Sequence, residues 1–173
     1  MIRKANENDI TSVVEIYDKI LLNEEKGIVT IGWIRDIYPT INTAKDALAR
    51  NDLFVYENED KKIIASAIIN QKQVDSYKFG NWENKVDDDK VMVLHTLTVD
   101  PTVSHKGIGR KFVEFYENYA RNNSCSELRM DTNEKNKIAR EFYKKIGYNE
   151  IGIVRTVFNG ISNVNLVLLE KKL

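Results

Sequence analysis

Val91-Met92-Val93-Leu94-His95-Thr96-Leu97-Thr98-Val99, followed after a short polar interval by Lys106-Gly107-Ile108-Gly109-Arg110, is the stretch that decides the fold. The first run is apolar at nearly every position, as a strand covered on both faces must be, so it belongs in the middle of a sheet. Behind the glycines, Ile108, Phe112, Phe115, Tyr116 and Tyr119 recur at helical spacing and predict a long helix over 107–122. Glycines at a strand-to-helix junction let backbone N–H groups turn toward one point, where the helix dipole adds partial positive charge. Such a junction can seat a phosphate, and it can equally be a plain helix start with a permissive turn. A Walker loop would need a Gly-Lys-Ser/Thr ending, and a Rossmann fingerprint a third glycine where Phe112 stands.

Working outward, 128–132 reads as a short strand and 136–146 as a helix with Ala139, Phe142, Tyr143 and Ile146 on one face. Lys144 and Lys145 in its last turn and Gly147 just beyond are what a helix C-terminus favours. Strands over 152–158 and 164–169 flank Asn159-Gly160, a hairpin signal with a connection longer than two residues. Upstream, a strand over 2–5 leads to Asn6, which can cap a helix with Asp9 three residues on; Ile10, Val13, Val14, Tyr17 and Leu21 form its stripe. Two shorter helices are expected over 31–38 and 43–50, parted near Pro39. Strand formers at 53–57 and 63–70 enclose a polar turn and predict a hairpin. The polar stretch 71–90 reads as a lid or a solvated loop. The order β-α-α-β-β-β-α-β-α-β-β describes one α/β domain over residues 1–173, its sheet mixed but mostly antiparallel and flanked by helices.

Among the 173 residues 26 are basic and 26 acidic, which removes the electrostatic footprint of a nucleic-acid binder. The chain has no apolar run near the ~18 residues that a membrane span needs. Its start, Met1-Ile2-Arg3-Lys4-Ala5-Asn6-Glu7, turns polar at once, so a cytoplasmic location is expected. Cys125 is the sole cysteine and His95 and His105 the sole histidines, so neither a disulfide nor a metal site is expected.

The succession of strand, glycine loop, helix, strand and Asn/Tyr helix resembles the GCN5-related N-acetyltransferase (GNAT) family, and the resemblance covers nearly the whole chain. Its first signature is Arg/Gln-x-x-Gly-x-Gly/Ala; Ser104-His105-Lys106-Gly107-Ile108-Gly109 keeps both glycines and places serine first. Its second, Asn-x-x-Ala running into Phe/Leu-Tyr-x-Lys-x-Gly-Tyr/Phe, is met by Asn136, Ala139, Phe142, Tyr143, Lys145, Gly147 and Tyr148. The resemblance implies a GNAT-like fold and the use of acetyl-CoA without a metal. Backbone groups along Leu97, Thr98 and Val99 would pair with the pantetheine arm. The N–H groups from His105 through Lys106, Gly107, Ile108 and Gly109 to Arg110 would cradle the pyrophosphate. Asn136 would bond the pantetheine, and Tyr143 would stand beside the sulfur.

Direct acetyl transfer needs a neutral amine, a polarised thioester and a proton for the departing thiolate. Tyr143 is the expected acid, since a phenol near pKa 10 can protonate a thiolate near 8.5. His95, on a strand face expected to include Val91, Val93, Leu97 and Val99, is either the base or a proton relay, or else a residue of core packing or substrate positioning. His105 is expected to give backbone contacts, and Asp87, Asp88 and Asp89 to form a solvated turn. Trp33, Tyr38, Tyr77 and Trp82 either wall the amine pocket or fill a seam. The expected activity is acetylation of the primary amine of a small molecule. Its rivals are acetylation of a protein or peptide and a non-catalytic CoA-binding sensor, and a homodimer is left open.

Overall fold

The computed structural model describes residues 1–103 and 107–173. The expectations placed on Ser104, His105 and Lys106 lie outside the described residues.

Among the described residues seven strands form one sheet: β1 (Ile2–Lys4), β2 (Leu53–Glu57), β3 (Ile63–Asn70), β4 (Val91–Val99), β5 (Glu127–Asn133), β6 (Asn149–Phe158) and β7 (Ile161–Lys172). They lie in the order β1-β2-β3-β4-β5-β7-β6, so β4 is central, as its continuous apolarity requires. Every neighbouring pair is antiparallel except β4 and β5. Among the described residues four α-helices flank the sheet: α1 (Ile10–Glu25), α2 (Ile41–Ala49), α3 (Ile108–Asn122) and α4 (Lys137–Lys145). Apart from the helix expected over 31–38, the expected order of strands and helices is the observed one.

Side-chain alternation sorts the core. Met92, Leu94, Leu128 and Met130 point to the face where Phe112, Val113, Tyr116 and Tyr143 of α3 and α4 pack. Leu53, Val55 and Ile68 point to the other, under Val13 and Tyr17 of α1 and Ala44 and Ala47 of α2. Asn6 closes a capping box with Asp9, though a single 3-10 turn intervenes before α1 begins.

Three expectations change. Residues 31–38 form no helix: both carboxylate oxygens of Glu24 bind the amides of Ile31 (2.6 Å) and Gly32 (2.9 Å), and the backbone turns left-handed at Gly32 (φ +84°) and Asp36 (φ +63°). A tight loop with an Ile34–Tyr38 bridge results. The β6–β7 connection is shorter than expected, because Asn159 (φ +50°) and Gly160 (φ +81°) alone join the paired Phe158 and Ile161. Positive φ at both positions is the primed turn that matches strand twist. Segment 71–90 is only in part a solvated loop: Asp87, Asp88 and Asp89 are exposed, whereas Ser76 and Tyr77 are buried, Tyr77 only 2 % exposed, so the segment is a strap fastened at its middle.

The feature that makes a site lies at the carboxyl end of β4. Val91–Leu94 pair with Glu127–Met130, and there the two strands part; β5 continues along β7 to Asn133. Near the fork β4 carries one extra residue: Ile68 faces His95, yet Ser66 faces Thr98. The extra residue is accommodated at Thr96, whose φ of +49° is unusual for a β-branched side chain. The bulge breaks the face that His95 was expected to share with Leu97 and Val99. His95 and Thr98 point toward α1 and α2, whereas Leu97 and Val99 pack with the α3–α4 core.

Candidate active site

A cavity of about 1010 Å³ opens where β4 and β5 separate, within the range of small-molecule sites. Leu97, Thr98 and Val99 line it, and among the described residues no strand pairs with the edge of β4 turned toward β5 from His95 onward. That edge can accept an extended, amide-bearing ligand as a strand would. Gly107 (φ +70°) caps the fifteen-residue helix α3 beyond the same end of β4. A Cβ at Gly109 would meet only the Phe142 ring edge at 3.7 Å, so the backbone there can be approached closely. Gly107, Ile108, Gly109 and Arg110 stand outside the cavity wall; Ile108 is buried and Arg110 exposed.

Asn136 caps α4, its side-chain oxygen accepting from the Ala139 amide at 3.2 Å, and it also lines the cavity. Tyr143, two turns further along, is 8 % exposed and packs against the rings of Phe142 and Tyr148. Burial, reinforced by the nearby Asp131 carboxylate, raises its pKa well above the phenol range, so the hydroxyl keeps its proton at neutral pH.

Asp131 is the residue that sequence reasoning missed. It follows the last β4–β5 pair on β5, points away from Leu128 and Met130, and lines the cavity. Burial pushes its carboxyl up to about 7, against a hydrogen bond from the Tyr77 hydroxyl (2.7 Å to Oδ2) that favours the charged form. An aspartate on the polar side of β5, two residues beyond Arg129 and beside a predicted core strand, was the available signal.

His95 lines the cavity across the fork, with Nε2 3.1 Å from Asn70 Oδ1. Burial draws its pKa down to about 4, only partly offset by the Lys72 backbone and the Asp52 charge, so the imidazole is neutral. Trp33 and Tyr38 also line the wall, ring edge to ring face at 5.9 Å, and the Tyr38 hydroxyl bonds Thr96 Oγ1. Trp82 does not: it covers the Arg129 guanidinium at 4.1 Å, in a separate depression. The loop carrying Trp33 and Tyr38 forms one side of the cavity. A Cβ at Gly32 would collide with the Asn133 amide, and one at Gly160 would lie 3.2 Å from Ile37. Among the described residues no three His, Cys, Asp or Glu side chains gather at metal-binding spacing, and no helix is long and apolar enough to cross a membrane.

Comparison with known proteins agrees with this architecture. An uncharacterized N-acetyltransferase of Methanocaldococcus jannaschii is 29 % identical over 75 residues, a match spanning 43 % of this chain and 33 % of that protein. A GNAT-family acetyltransferase structure from Listeria monocytogenes superposes with a TM-score of 0.77 at 19 % identity, covering 100 % of this chain and 94 % of that one. The ribosomal-protein-alanine N-acetyltransferase structure from Brucella melitensis gives 0.72 at 17 % identity, with 100 % and 99 % covered. At such identities the structural likeness is one of fold. The sequence model of the acetyltransferase (GNAT) family matches residues 18–148, well over half of the chain, and on that ground the chain belongs to the GNAT family.

Proposed function

We propose that the protein transfers an acetyl group from acetyl-CoA directly to the primary amine of a small molecule. The observation that carries this reading is the meeting of Tyr143 and Asp131 at the fork between β4 and β5. The free edge of β4 at Leu97, Thr98 and Val99 fits the amides of a pantetheine arm, and the spare amide of Asn136 adds a donor. Gly107 to Arg110, with His105 and Lys106 before them, would receive the pyrophosphate at the start of α3. Bound in this way, acetyl-CoA supplies the activated acetyl carbon.

Asp131 accepts a proton from the amine as its nitrogen bonds to that carbon. Tyr143 donates its proton to the sulfur as the carbon–sulfur bond breaks, and cavity water returns the proton from Asp131 to Tyr143 before the next turnover. A general base works best with a pKa near the operating pH, so a carboxyl near 7 serves better than an imidazole near 4. We therefore give the base role to Asp131 and leave His95 to hold the acceptor's distal part, beside Asn70.

Trp33 and Tyr38 supply an aromatic wall, and their loop lies against Asn133 and Gly160. An aromatic wall on one side of a cavity of about 1010 Å³ supports a small acceptor. A cytoplasmic location, where acetyl-CoA is at hand, belongs to the same reading.

The test is incubation with acetyl-CoA and an extract of small metabolites, followed by a mass-spectrometric search for acetylated amines. Coenzyme A binding with no product from any amine would sink the enzymatic assignment in favour of a sensor. A product only with added peptides would overturn the small-molecule reading.

A further inference from the structure

Tyr77 stands outside the cavity wall yet reaches the site through one bond, from its hydroxyl to Asp131 Oδ2. Its surroundings hold it rigidly. The Trp82 ring lies 5.1 Å from the Tyr77 ring, and the indole N–H donates to the Tyr77 carbonyl at 2.7 Å. Arg129 covers Trp82 and donates to Gln73 Oε1 (2.6 Å) and the Asn84 carbonyl (3.0 Å), while the Glu83 amide donates to Glu170 Oε1 (2.8 Å). Arg129, Glu127 and Glu170 are each at most 5 % exposed. Fastening a surface segment with buried charges is expensive where apolar packing would suffice, and fixed geometry is the attested use of such an arrangement.

We propose that Tyr77 is a positioning residue for acetyl transfer: clamped by the 71–90 strap, its phenol fixes one oxygen of the Asp131 carboxyl and leaves the other to the acceptor amine. This inference rests on Asp131 being the base. The titratable groups around Asp131 are Tyr77 from the strap, Tyr38 from the 26–40 loop, Tyr143 from α4, His95 on β4 and Arg129 on its own strand. Among these, Tyr77 is the one that hydrogen-bonds the carboxyl among the described residues. Its loss would leave the charged form less supported, and Asp131 would hold its proton to higher pH.

The experiment is carbon-13 NMR titration of the aspartate side-chain carboxyls in the intact protein, with the Asp131 resonance identified by its disappearance in Asp131→Asn. In Tyr77→Phe the Asp131 midpoint should rise by ~1 pH unit, and the acid limb of kcat/KM for a responsive amine should rise with it. Should Tyr77→Phe fail to fold, 3-fluorotyrosine at position 77, a stronger donor of nearly the same shape, should move the midpoint down. An unmoved midpoint in a folded variant overturns the proposal, whatever the activity. A midpoint that moves while the kcat/KM limb stays in place upholds the hydrogen bond's hold on the carboxyl but refutes Asp131 as base, and with it the positioning role.

Discussion

Replacing Asp131 by asparagine should stabilise the fold while removing activity, and both effects have one origin. Burial lifts the carboxyl from its ordinary 3.8 to about 7. Each tenfold in proton affinity is worth about 1.4 kcal/mol, so a fully charged Asp131 costs the folded state roughly 4 kcal/mol as an upper bound. Cavity water screens part of this, and asparagine weakens the Tyr77 bond, which leaves a net gain of ~1–3 kcal/mol. The folded-state value lies above the unfolded one, so the folded protein holds the extra proton between about pH 4 and pH 7, and wild-type stability from this group falls as pH rises through that window. The asparagine variant has no such proton. It should match wild type at about pH 4 and exceed it by ~1–3 kcal/mol at about pH 8, which for a chain of this size is a few degrees or more in Tm. Other perturbed carboxyls do not confuse the comparison. Glu127, raised by burial and by Glu170, and Asp9, lowered chiefly by its Arg3 hydrogen bond, titrate equally in both proteins and cancel in the difference. Urea unfolding of the two proteins across this pH range, followed by circular dichroism, supplies the measurement. A stability difference that does not change with pH would refute the reasoning, because it would mean that the carboxyl titrates normally and is no better placed as a base than any surface aspartate.

Tyr143→Phe keeps the ring packing and should lower kcat roughly a hundredfold or more with acetyl-CoA affinity unchanged; an unaltered kcat removes Tyr143 as the proton donor. Gly109→Val should abolish acetyl-CoA binding in calorimetry while thermal unfolding stays close to wild type, since a Cβ there meets only ordinary contact with Phe142; retained binding would reduce the glycine loop to a turn. His95→Gln should leave the acid limb of kcat/KM in place near pH 7 and raise KM for the acceptor, and loss of that limb would transfer the base role from Asp131 to His95.

The elements were legible where one physical pattern acted alone. Continuous apolarity marked β4 as central, and the helical stripes of α3 and α4 survived because their burial depends on spacing within the element. Reading failed where a distant partner decided. Residues 31–38 have the spacing of a helix, but the Glu24 carboxylate takes two of their amides and a left-handed Gly32 passes against Asn133. The strap looked like solvated loop because its fasteners, Arg129 and Glu170, lie some 50 to 90 residues downstream, as far as Glu83 to Glu170 with a separation of 87. Asp131 was passed over for a related reason: nothing in Leu128 to Thr132 reveals that the neighbouring strand leaves at Leu94 and turns a sheet interior into a cavity wall.

Why the strands part there is itself a matter of residue chemistry. Two parallel strands that remained paired would bury the next rung, His95 beside Asp131, with no room for an acceptor. The extra residue at Thr96 prevents it by rotating β4 locally, at a conformational cost of about 1–3 kcal/mol. That cost is offset where the rotation creates polar bonds: Thr96 meets the Tyr38 hydroxyl, and Thr98 meets Ser66 at 2.7 Å. The same rotation carries Leu97 and Val99 into the α3–α4 core, which anchors the strand beyond the bulge and keeps its free edge straight beside the gap. Deleting Thr96 should restore the simple alternation that the sequence suggests, return the β4 edge to β5, and narrow the cavity that Tyr143 and Asp131 line.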